Sequence, residues 1–546
     1  MKRTLAAVLL LIIATTVSAE ERQRYAVALE RPVLAHATPQ FVGIDVDMSA
    51  LNYEPMENLQ AYAADLTAAE AAALRKQPDV RYVEAAMLYH KLDLGGAPAG
   101  IDATRNLNGQ TIPYGIDLVH ARDTWPIVRG AGVNVAVVDT GIDYNHPDLR
   151  DNYRGGFNEI THTTDPLDDD SHGSHVSGTI AAADNDIGVV GVAPKANIWA
   201  VKVLDNTGSG TSTNIAAGIN WVLDKKKEIG GDWIINMSLG DSHLSMIMQD
   251  ACQKASDAGV LIVAASGNES TATVPAPVAY PAAFPTVLAV GAIDSTSTIA
   301  DFSNQGPELA LVGPGVNVLS SVPRGTGDIS FVTLGSTSYD AIHVEGSPKD
   351  TIMAPFVFCS QGHVGEFPAA VSGKIALIQR GDITFNEKAK NAKAAGAIAV
   401  LIYNNDKPYS PFTFIGTDPT DATFAWPLAV GITKADGEAI KANPTASITI
   451  AYKNDDYAIF SGTSMATPHV VGVAALIWSA APSATAAQVR LALTSSAHDL
   501  GAQGVDVVYG SGLVSALDAG KVLAPEKFGS SVTPPKTPNG RRILHR

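Results

Sequence analysis

Apolar runs separated by amphipathic segments fill residues 109–323. Most of these runs are continuous rather than alternating, which indicates strands buried on both faces. The predicted strands cover residues 133–138, 198–203, 233–237, 260–265 and 287–290. Helical spacing over 214–224 and 246–258 lies between them, so the alternation predicts βαβ units in a doubly wound, mostly parallel α/β sheet. Ligands of such sheets bind beyond the carboxyl ends of the strands.

Residues 20–107 form a smaller pattern of their own. A helix is predicted to begin at Thr67, because Glu70 three residues later completes a capping box. The predicted strands are 25–29, 41–46 and 80–85. The Gly/Pro-rich stretch 95–100 then indicates a linker. A compact α+β unit before a linker predicts a removable pro-segment, and an N-terminal domain that stays attached is the alternative.

Residues 324–457 interrupt the βαβ rhythm. A Gly/Ser/Thr-rich stretch at 324–338 marks the boundary, and the segment that follows is too long for a loop. Its predicted elements are a strand at 374–379, a helix at 386–395 and a strand at 397–403. We therefore predict an inserted domain between one part of the main domain at 108–323 and a second part at 458–527.

Composition excludes some functional classes. The chain has 546 residues, a formal net charge of -17 and a sequence pI of about 5.1, so nucleic acid and anionic membrane surfaces are not expected partners. With two cysteines, Cys252 and Cys359, one disulfide is possible but a disulfide framework is not. Two buried free thiols are the alternative.

Both ends of the chain carry segments outside the folded units. Residues 1–19 combine Lys2 and Arg3, an apolar run and a small-residue cleavage site, which predicts a secretory signal and an extracellular protein. A membrane anchor is the alternative, although the apolar run is short for a span. The tail 528–546 contains adjacent prolines and a basic end, and it is predicted to be disordered.

Four polar side chains lie where such a sheet places its chemistry. Ser464 stands where a loop becomes an apolar helix, and Asp139 ends a buried strand. His172 opens a helix rich in small residues, and Asn268 follows a strand. A neutral histidine can take the proton of a serine, and a carboxylate on its other nitrogen fixes the tautomer. Each residue also has a structural interpretation: a helix cap, a strand-end carboxylate or a turn residue.

The motifs around these residues closely resemble those of the subtilisin-like serine peptidases. The motifs are Asp139-Thr140-Gly141, His172-Gly173-Ser174-His175-Val176 and Gly462-Thr463-Ser464-Met465-Ala466-Thr467-Pro468-His469. The resemblance implies that Ser464 is the nucleophile, His172 the general base and acid, and Asp139 the orienting acid. It also implies that Asn268 and the Ser464 backbone amide bind the oxyanion.

The same resemblance extends to the substrate cleft. Gly208-Ser209-Gly210 and Ser238-Leu239-Gly240 match the segments that pair with the substrate backbone. Ala279 stands where the family usually has glycine at the base of the first specificity pocket. The resemblance therefore implies a slightly shallower pocket, and we expect a broad apolar or aromatic preference.

The polar turn at 184–189 resembles the calcium loop of the family, and a hard cation prefers such oxygen ligands. The implied side-chain ligands are Gln110, Asp148 and Asn185, with backbone oxygens of Ala183, Ile187 and Val189. A metal-free turn is the alternative. A zinc site at His172 and His175 is not expected, because no third ligand lies close in sequence and no HExxH occurs.

The flanking units also have counterparts in this family. Residues 20–107 resemble its inhibitory propeptides, with the mature chain beginning near Asn108. Residues 324–457 resemble a protease-associated (PA) domain, most clearly at 373–381. Its role is either substrate gating or capture, or that of a passive lid.

The sequence thus predicts a secreted, monomeric serine endopeptidase with structural calcium. It would act on proteins and peptides and be inhibited by its own propeptide. A peptide-binding protein on a peptidase scaffold is the first alternative. An α/β-hydrolase esterase is the second, but Met465-Ala466 breaks its G-x-S-x-G motif and His172 comes too early.

Overall fold

A computed structural model describes residues 21–33, 51–93, 103–105, 110–344, 346–405 and 424–529. They divide into two compact units, residues 1–86 and 87–546. The predicted signal, the strand at 41–46, the linker at 95–100 and the tail from 530 lie outside the described residues. Within the described ranges, no helix combines the length and apolar character needed to cross a bilayer.

The first unit is a four-stranded antiparallel sheet with one helix. Its elements are β1 (Gln23–Leu29), β2 (Glu54–Met56), β3 (Ala61–Leu66), α1 (Ala68–Leu74) and β4 (Val80–Ala85), and the strand order is β2-β3-β1-β4. The predicted capping box is confirmed, because the Thr67 hydroxyl accepts from the Glu70 amide and the Glu70 carboxylate accepts from the Thr67 amide. The sequence did not predict β3, whose alanines have weak strand propensity.

The second unit contains a sheet of seven parallel strands. Its elements before the insert are β5 (Leu88–Lys91), β6 (Ala103–Arg105), β7 (Thr111–Pro113), α2 (Tyr114–Leu118), α3 (Ala121–Thr124), β8 (Asn134–Asp139), β9 (Tyr153–Asn158), α4 (His172–Ala181), β10 (Asn197–Lys202), β11 (Ser209–Thr211), α5 (Ser212–Ile229), β12 (Trp233–Met237), β13 (Leu239–Gly240), α6 (Met246–Asp257), β14 (Leu261–Ala265), β15 (Val287–Ile293), β16 (Leu309–Pro314) and β17 (Val318–Ser321). The sheet order is β16-β15-β14-β12-β8-β10-β9, and every pair is parallel, which confirms the predicted sheet.

Helices cover both faces of this sheet. α4 packs with α9 (Thr463–Ala480) and α5 packs with α6, while all residues of β8, β12 and β14 are buried. Burial on both faces explains why these strands are continuous apolar runs in the sequence. The edge strand β9 was not predicted, because Arg154, Gly155 and Gly156 interrupt its apolar pattern.

The predicted insert is a closed β-barrel. Its elements are β18 (Gly327–Leu334), β19 (Thr337–His343), β20 (Ile352–Phe358), β21 (Ile375–Gln379), α7 (Phe385–Ala394), β22 (Ala399–Tyr403), β23 (Leu428–Ile432), α8 (Lys434–Lys441) and β24 (Ser447–Asp455). β21 and β22 are parallel with α7 between them, as the sequence predicted. The strands on either side, β17 and β25 (Tyr457–Phe460), pair antiparallel, so the insert leaves and re-enters the main domain at one place.

The last described helices are α10 (Ala486–Ser495), α11 (Ala516–Leu523) and α12 (Pro525–Phe528). They pack on α9 and on one another: α10 and α11 contact α9, and α12 contacts α11. α9 itself is buried along nearly its whole length, as its apolar sequence predicted. A fully buried helix of this kind fixes the position of its first turn, which carries Ser464.

Candidate active site

The carboxyl ends of the central strands form one polar edge. β8 ends at Asp139, Ser238 directly follows β12, and Asn268 follows β14 by three residues. Because these strands are parallel neighbours, their carboxyl ends meet at the same edge. Two packed helices complete the edge, since α4 begins at His172 and α9 begins one residue before Ser464.

Asp139 and His172 form a fully buried pair. His172 Nδ1 lies 2.7 Å from Asp139 Oδ1, and both side chains are completely buried. Burial by itself would lower the pKa of His172, but the charge and hydrogen bond of Asp139 outweigh it, so this pKa is raised above its ordinary value. With Nδ1 donating to Asp139, the neutral ring presents Nε2 as a proton acceptor.

Ser464 does not bond His172 in this structure. Its hydroxyl donates to the Ser238 carbonyl oxygen at 2.8 Å and accepts from the Leu92 amide at 3.1 Å. His172 Nε2 is buried and has no hydrogen-bond partner among the described residues. The transfer predicted from the sequence therefore requires the Ser464 hydroxyl to turn from Leu92 and Ser238 toward His172.

One donor contacts the carbonyl oxygen of Leu92, and the side-chain nitrogen of Asn268 lies in the same neighbourhood. The Ser464 amide donates to it at 3.3 Å. Asn268 Oδ1 accepts from the Thr463 amide and hydroxyl at 3.0 and 2.9 Å, and its Nδ2 is buried without a partner among the described residues. A Cβ built on Gly462 would lie 2.3 Å from the Leu92 oxygen and 3.3 Å from Asn268 Nδ2. The arrangement can therefore stabilise negative charge on a carbonyl oxygen at this point.

The segments predicted to bind substrate hold β5 between them. β5 pairs antiparallel with β11, through Ser209 and Gly210, and with β13, which is Leu239–Gly240. Two backbone bonds continue the pairing toward Ser464: the Lys91 amide donates to the Gly208 oxygen at 2.9 Å, and the Leu92 amide lies 3.4 Å from the Ser238 oxygen.

The predicted specificity pocket receives Leu92. A Cβ on Gly240 would lie 3.0 Å from Leu92 Cδ1 and 3.4 Å from the Ala279 Cβ. Leu92 and Ala279 are both buried. The structure thus gathers all seven predicted substrate-binding residues around residues 88–92, a segment whose position in the cleft local sequence pattern does not predict.

A buried carboxylate supports the His172 turn. Asp168 accepts from the Ser174 amide and hydroxyl at 2.9 and 2.7 Å and from the Thr140 hydroxyl at 2.9 Å. The Thr140 hydroxyl in turn accepts from the Gly173 amide at 2.8 Å, which ties the Asp139 turn to the His172 helix. Burial raises the pKa of Asp168. Sequence reasoning missed this residue, although three consecutive acids shortly before His172 were a visible signal.

Three of the six predicted calcium ligands converge on the side-chain nitrogen of a fourth, Gln110. The backbone oxygens of Ala183 and Val189 lie 2.8 and 2.9 Å from the Gln110 side-chain nitrogen, and Asn185 Oδ1 lies 3.2 Å from it. Asp148 is fully buried and accepts from the Asn185 side chain at 3.1 Å. Ile187 lies in the same loop, where its amide donates to Asn185 Oδ1. Converging oxygens suit either a donor or a cation, and turning the Gln110 amide by 180° would add its own oxygen, so the ligand set fits calcium.

The remaining sequence candidates lie in the core. His175 stacks on Phe460 with ring centroids 4.4 Å apart, its Nε2 lies 2.9 Å from the Val318 oxygen, and burial lowers its pKa to about 3. Cys252 and Cys359 are both free and buried, so the possible disulfide between them is not formed.

Models of three known protein families match consecutive parts of the chain. The model of the subtilase family, Peptidase S8, matches residues 130–345. That of the PA domain matches residues 348–440, and that of peptidase inhibitor I9 matches residues 22–90. The first two matches correspond to the sheet and the barrel described above.

Individual relatives show how far the similarity extends. The chain is 36% identical to subtilisin E of Bacillus subtilis (strain 168) over 331 residues, which are 60% of this chain and 79% of that protein. It is 37% identical to a thermostable alkaline protease of Halalkalibacterium halodurans, over 63% of this chain and 85% of that protein. The crystal structure of the psychrophilic subtilisin-like protease Apa1 from the Antarctic psychrotroph Pseudoalteromonas sp. AS-11 matches with a TM-score of 0.62 and 31% identity, covering 78% of this chain and all of that one. The chain belongs to the subtilase family of serine endopeptidases, with an I9 propeptide and a PA domain.

Proposed function

We propose that the protein is a secreted serine endopeptidase that cleaves proteins through an acyl-enzyme on Ser464. The observation that carries this proposal is the position of Leu92. Its carbonyl oxygen accepts from the Ser464 amide at 3.3 Å, beside the unpaired Asn268 Nδ2. The segment before it runs between two strands as a bound peptide would. Residues 88–92 therefore occupy the cleft as a substrate peptide would.

The proposed chemistry follows from this placement. The Ser464 hydroxyl turns toward His172 Nε2, gives up its proton and attacks the carbonyl carbon of the residue at the Leu92 position. The Ser464 amide and Asn268 Nδ2 stabilise the oxyanion, and His172 returns the proton to the leaving amine. Water then hydrolyses the ester on Ser464, with His172 again acting as the base. Asp139 holds the imidazole and stabilises its charged form.

Side-chain burial along β5 supports an apolar substrate preference. Leu92 is 6% exposed and Tyr89 is completely buried, whereas Leu88 is 51% exposed. A peptide in this place therefore buries two side chains: the one directly before the cut bond, at the Leu92 position, and the one three residues earlier, at the Tyr89 position. Ala279 and Gly240 border the first of these two pockets. The preference is broad, because no charged group lies among these neighbours.

The same placement points to the first self-processing cut. With the Leu92 oxygen beside the proposed oxyanion donors, the bond in position for cleavage is Leu92–Asp93. A mature chain beginning near Asn108, as expected from the sequence, would then require a second cut. We propose that residues 20–92 remain bound after the first cut as an inhibitor.

N-terminal sequencing and intact mass of the purified protein test the cut site. A start at Asp93 after short incubation supports the first cut at Leu92. A start at or beyond Asn108 at all times, with no species beginning at Asp93, would contradict it.

Calcium at the Gln110–Asp148 site is proposed as a stabilising ion. Asp148 is buried, and its side-chain donors in the described part of the chain are neutral: the Asn185 amide, the Val189 amide and the Tyr457 hydroxyl. A divalent cation would therefore offset its burial. Thermal unfolding of protein carrying Ser464→Ala, with and without chelator, tests this. Chelation should lower the Tm, and calcium should restore it. Replacing Asp148 by Asn should remove the difference, and a Tm insensitive to chelator in the parent would contradict the site.

Casein hydrolysis by the purified mature protein tests the main proposal. Activity should disappear after treatment with a serine-directed inhibitor, and mass spectrometry should find the adduct on Ser464. Activity that survives complete labelling would contradict the mechanism. If the untreated protein hydrolyses neither casein nor peptides, and if Ser464→Ala leaves peptide binding unchanged, the binding-protein alternative would be favoured. Finding the protein in the culture medium would support export. Gel filtration of the purified protein measures whether it is a monomer.

A further inference from the structure

An ion pair lies in the substrate cleft next to the catalytic histidine. Lys91, the residue before Leu92, places its Nζ 2.8 and 2.9 Å from the two carboxylate oxygens of Asp170. The Asp170 side chain is 8% exposed and that of Lys91 is 25% exposed. A pair held at this depth is screened less than a surface pair, so it contributes more to recognition.

Asp170 has a different kind of partner from the two acids that precede it. Asp168 is used by Ser174 and Thr140, and Asp169 pairs with Lys202 at 2.6 Å. Asp170 points into the cleft instead. Two hydrogen bonds hold Asp170 in place. Its amide donates to Asp168 Oδ1 at 3.0 Å, and its Oδ1 accepts from the His172 amide at 3.1 Å. The carboxylate therefore stands preformed at this subsite.

The opposite wall is shaped for a long side chain. A Cβ on Gly208 would lie 2.5 to 2.7 Å from Cγ, Cδ and Cε of Lys91. Gly208 also has a φ of +74°, which a side chain would strain. The glycine thus leaves room for an aliphatic stem between the backbone of residue 208 and the Asp170 carboxylate.

We propose that Asp170 makes the enzyme select lysine or arginine as the second residue on the amino side of the cut bond. The proposal rests on the proposed function, since it refines the substrate of the same cleft. Asp93 also approaches Lys91, at 3.5 Å, but it belongs to the leaving side of the Leu92–Asp93 bond and is absent from other substrates. Asp170 stays with the enzyme, so the selection applies to every peptide.

Chromogenic peptides test this selection. They share a tyrosine at the Tyr89 position and a leucine followed by a chromogenic amide, and they differ only in the residue before leucine: lysine, norleucine or glutamate. Norleucine keeps the aliphatic stem without the charge. Mature wild-type enzyme should cleave the lysine peptide with a kcat/KM about ten-fold above the norleucine peptide and further above the glutamate peptide. The lysine preference should fall as salt is raised from about 0.05 to 1 M.

Variants separate Asp170 from its neighbours. Asp170→Asn should bring the lysine-to-norleucine ratio close to one, and Asp170→Lys should invert the order of the lysine and glutamate peptides. Ratios are taken within each variant, so a general loss of turnover cancels. Asp169→Asn is the matched control, because it removes an adjacent carboxylate that faces Lys202, and it should keep the wild-type ratio.

Two outcomes would overturn the proposal. One is a wild-type ratio near one, and the other is a ratio unchanged in both Asp170 variants. Should neither Asp170 variant fold, the salt response of the wild-type ratio decides, and a ratio insensitive to salt would count against Asp170. Cleavage of the norleucine peptide by wild type and Asp169→Asn, abolished by a serine-directed inhibitor, keeps the proposed function in place in either case.

Discussion

The main sheet and the inserted barrel both contain parallel strands joined by a helix, yet their polar residues are used differently. In the barrel, Arg380 after β21 donates to Asn404 after β22 at 3.2 Å. The buried Lys388 donates to the carbonyl oxygens of Gln361 and Gln379. In the main sheet, His172 Nε2 and Asn268 Nδ2 are buried without partners among the described residues.

His172 and Asn268 are both residues to which the proposed chemistry gives a role, so their unpaired atoms have a candidate ligand in the substrate. A buried donor or acceptor without a partner costs about 1–3 kcal/mol, so it persists where a ligand satisfies it. In the cleft, Asn268 Nδ2 and the Leu92 oxygen both lie beside Gly462. In the barrel, the polar groups compared here satisfy one another and hold its loops. The alternation of strands and helices identifies both regions as folded sheet. Buried polar atoms without a partner among the described residues occur in both, since Ser330 Oγ in β18 is another, so the site is identified by their combination with the buried Asp139–His172 pair at one edge of the sheet.

Removing the Ser464 hydroxyl should give the largest effect. For Ser464→Ala we expect kcat to fall on the order of 10⁶-fold, the magnitude known from subtilisin itself, because no attacking oxygen remains. The variant should also stay at its full precursor length, since the cut after Leu92 depends on the same hydroxyl. Rates on a chromogenic peptide and the mass of the purified chain measure both effects. Ser479→Ala, on the same helix, is the control and should process normally. A processed Ser464→Ala chain would mean that another enzyme makes the cut.

The next largest effect concerns the Asp139–His172 pair. We expect Asp139→Asn to lower kcat by about 10⁴-fold, as in related triads, because the imidazole loses its orientation and the partner of its charge. His172 acts as a base only when neutral, so activity is present above its pKa and lost below it. Because Asp139 raises that pKa, the acid limb of wild-type kcat/KM should lie above about 6.5.

The pH profile of the Asp139→Asn variant distinguishes this account from simple misfolding. Without the Asp139 charge, burial alone acts on the pKa of His172, so the acid limb should move to lower pH. A residual activity with an unmoved acid limb would show that another group sets the pH dependence.

Asn268→Ala should have a smaller effect. The side-chain nitrogen has no ground-state partner among the described residues, so its loss should affect the charged intermediate more than substrate binding. We expect kcat to fall by about 10² to 10³-fold with little change in KM, as for this position in subtilisin itself. Steady-state kinetics on the chromogenic peptide separate the two constants. A large rise in KM with unchanged kcat would instead assign Asn268 to substrate binding or to support of Thr463.

The sequence predicts most elements of both regions, but it does not predict which side chains of distant segments come into contact. The buried strands, the capping box at Thr67 and the βαβ segment of the insert follow from local pattern. Asp139, His172 and Ser464 stand at strand and helix ends, where the pattern places chemistry. The position of Leu92 in the cleft could not be predicted, because it depends on pairing with strands that lie far away in the chain.

The Asp168 and Asp170 roles were hidden for a related reason. Both belong to a run of acids whose members look alike in sequence, and only tertiary contacts assign one to Ser174 and the other to Lys91. Among the strands that were not predicted, β3 is rich in alanine, which has weak strand propensity, and the apolar pattern of β9 is interrupted by Arg154, Gly155 and Gly156. Local periodicity thus identifies elements, while partners of polar groups require the fold.

The smallest catalytic effect is expected from the barrel. Burial lowers the pKa of Lys388 from 10.5 to about 8, so the unfolded chain binds its proton more tightly than the folded chain does. The barrel should therefore gain stability as pH rises from about 8 to 10.5, and Lys388→Met should remove this gain. In the same variant kcat/KM on a chromogenic peptide should stay within about two-fold of wild type, because the hydrogen bonds of Lys388 to described residues go to backbone oxygens of the insert. Thermal unfolding in a Ser464→Ala background measures the first effect without self-digestion. A large loss of kcat/KM with unchanged unfolding would mean that the buried lysine acts on the cleft, and the two regions would then be coupled rather than contrasted.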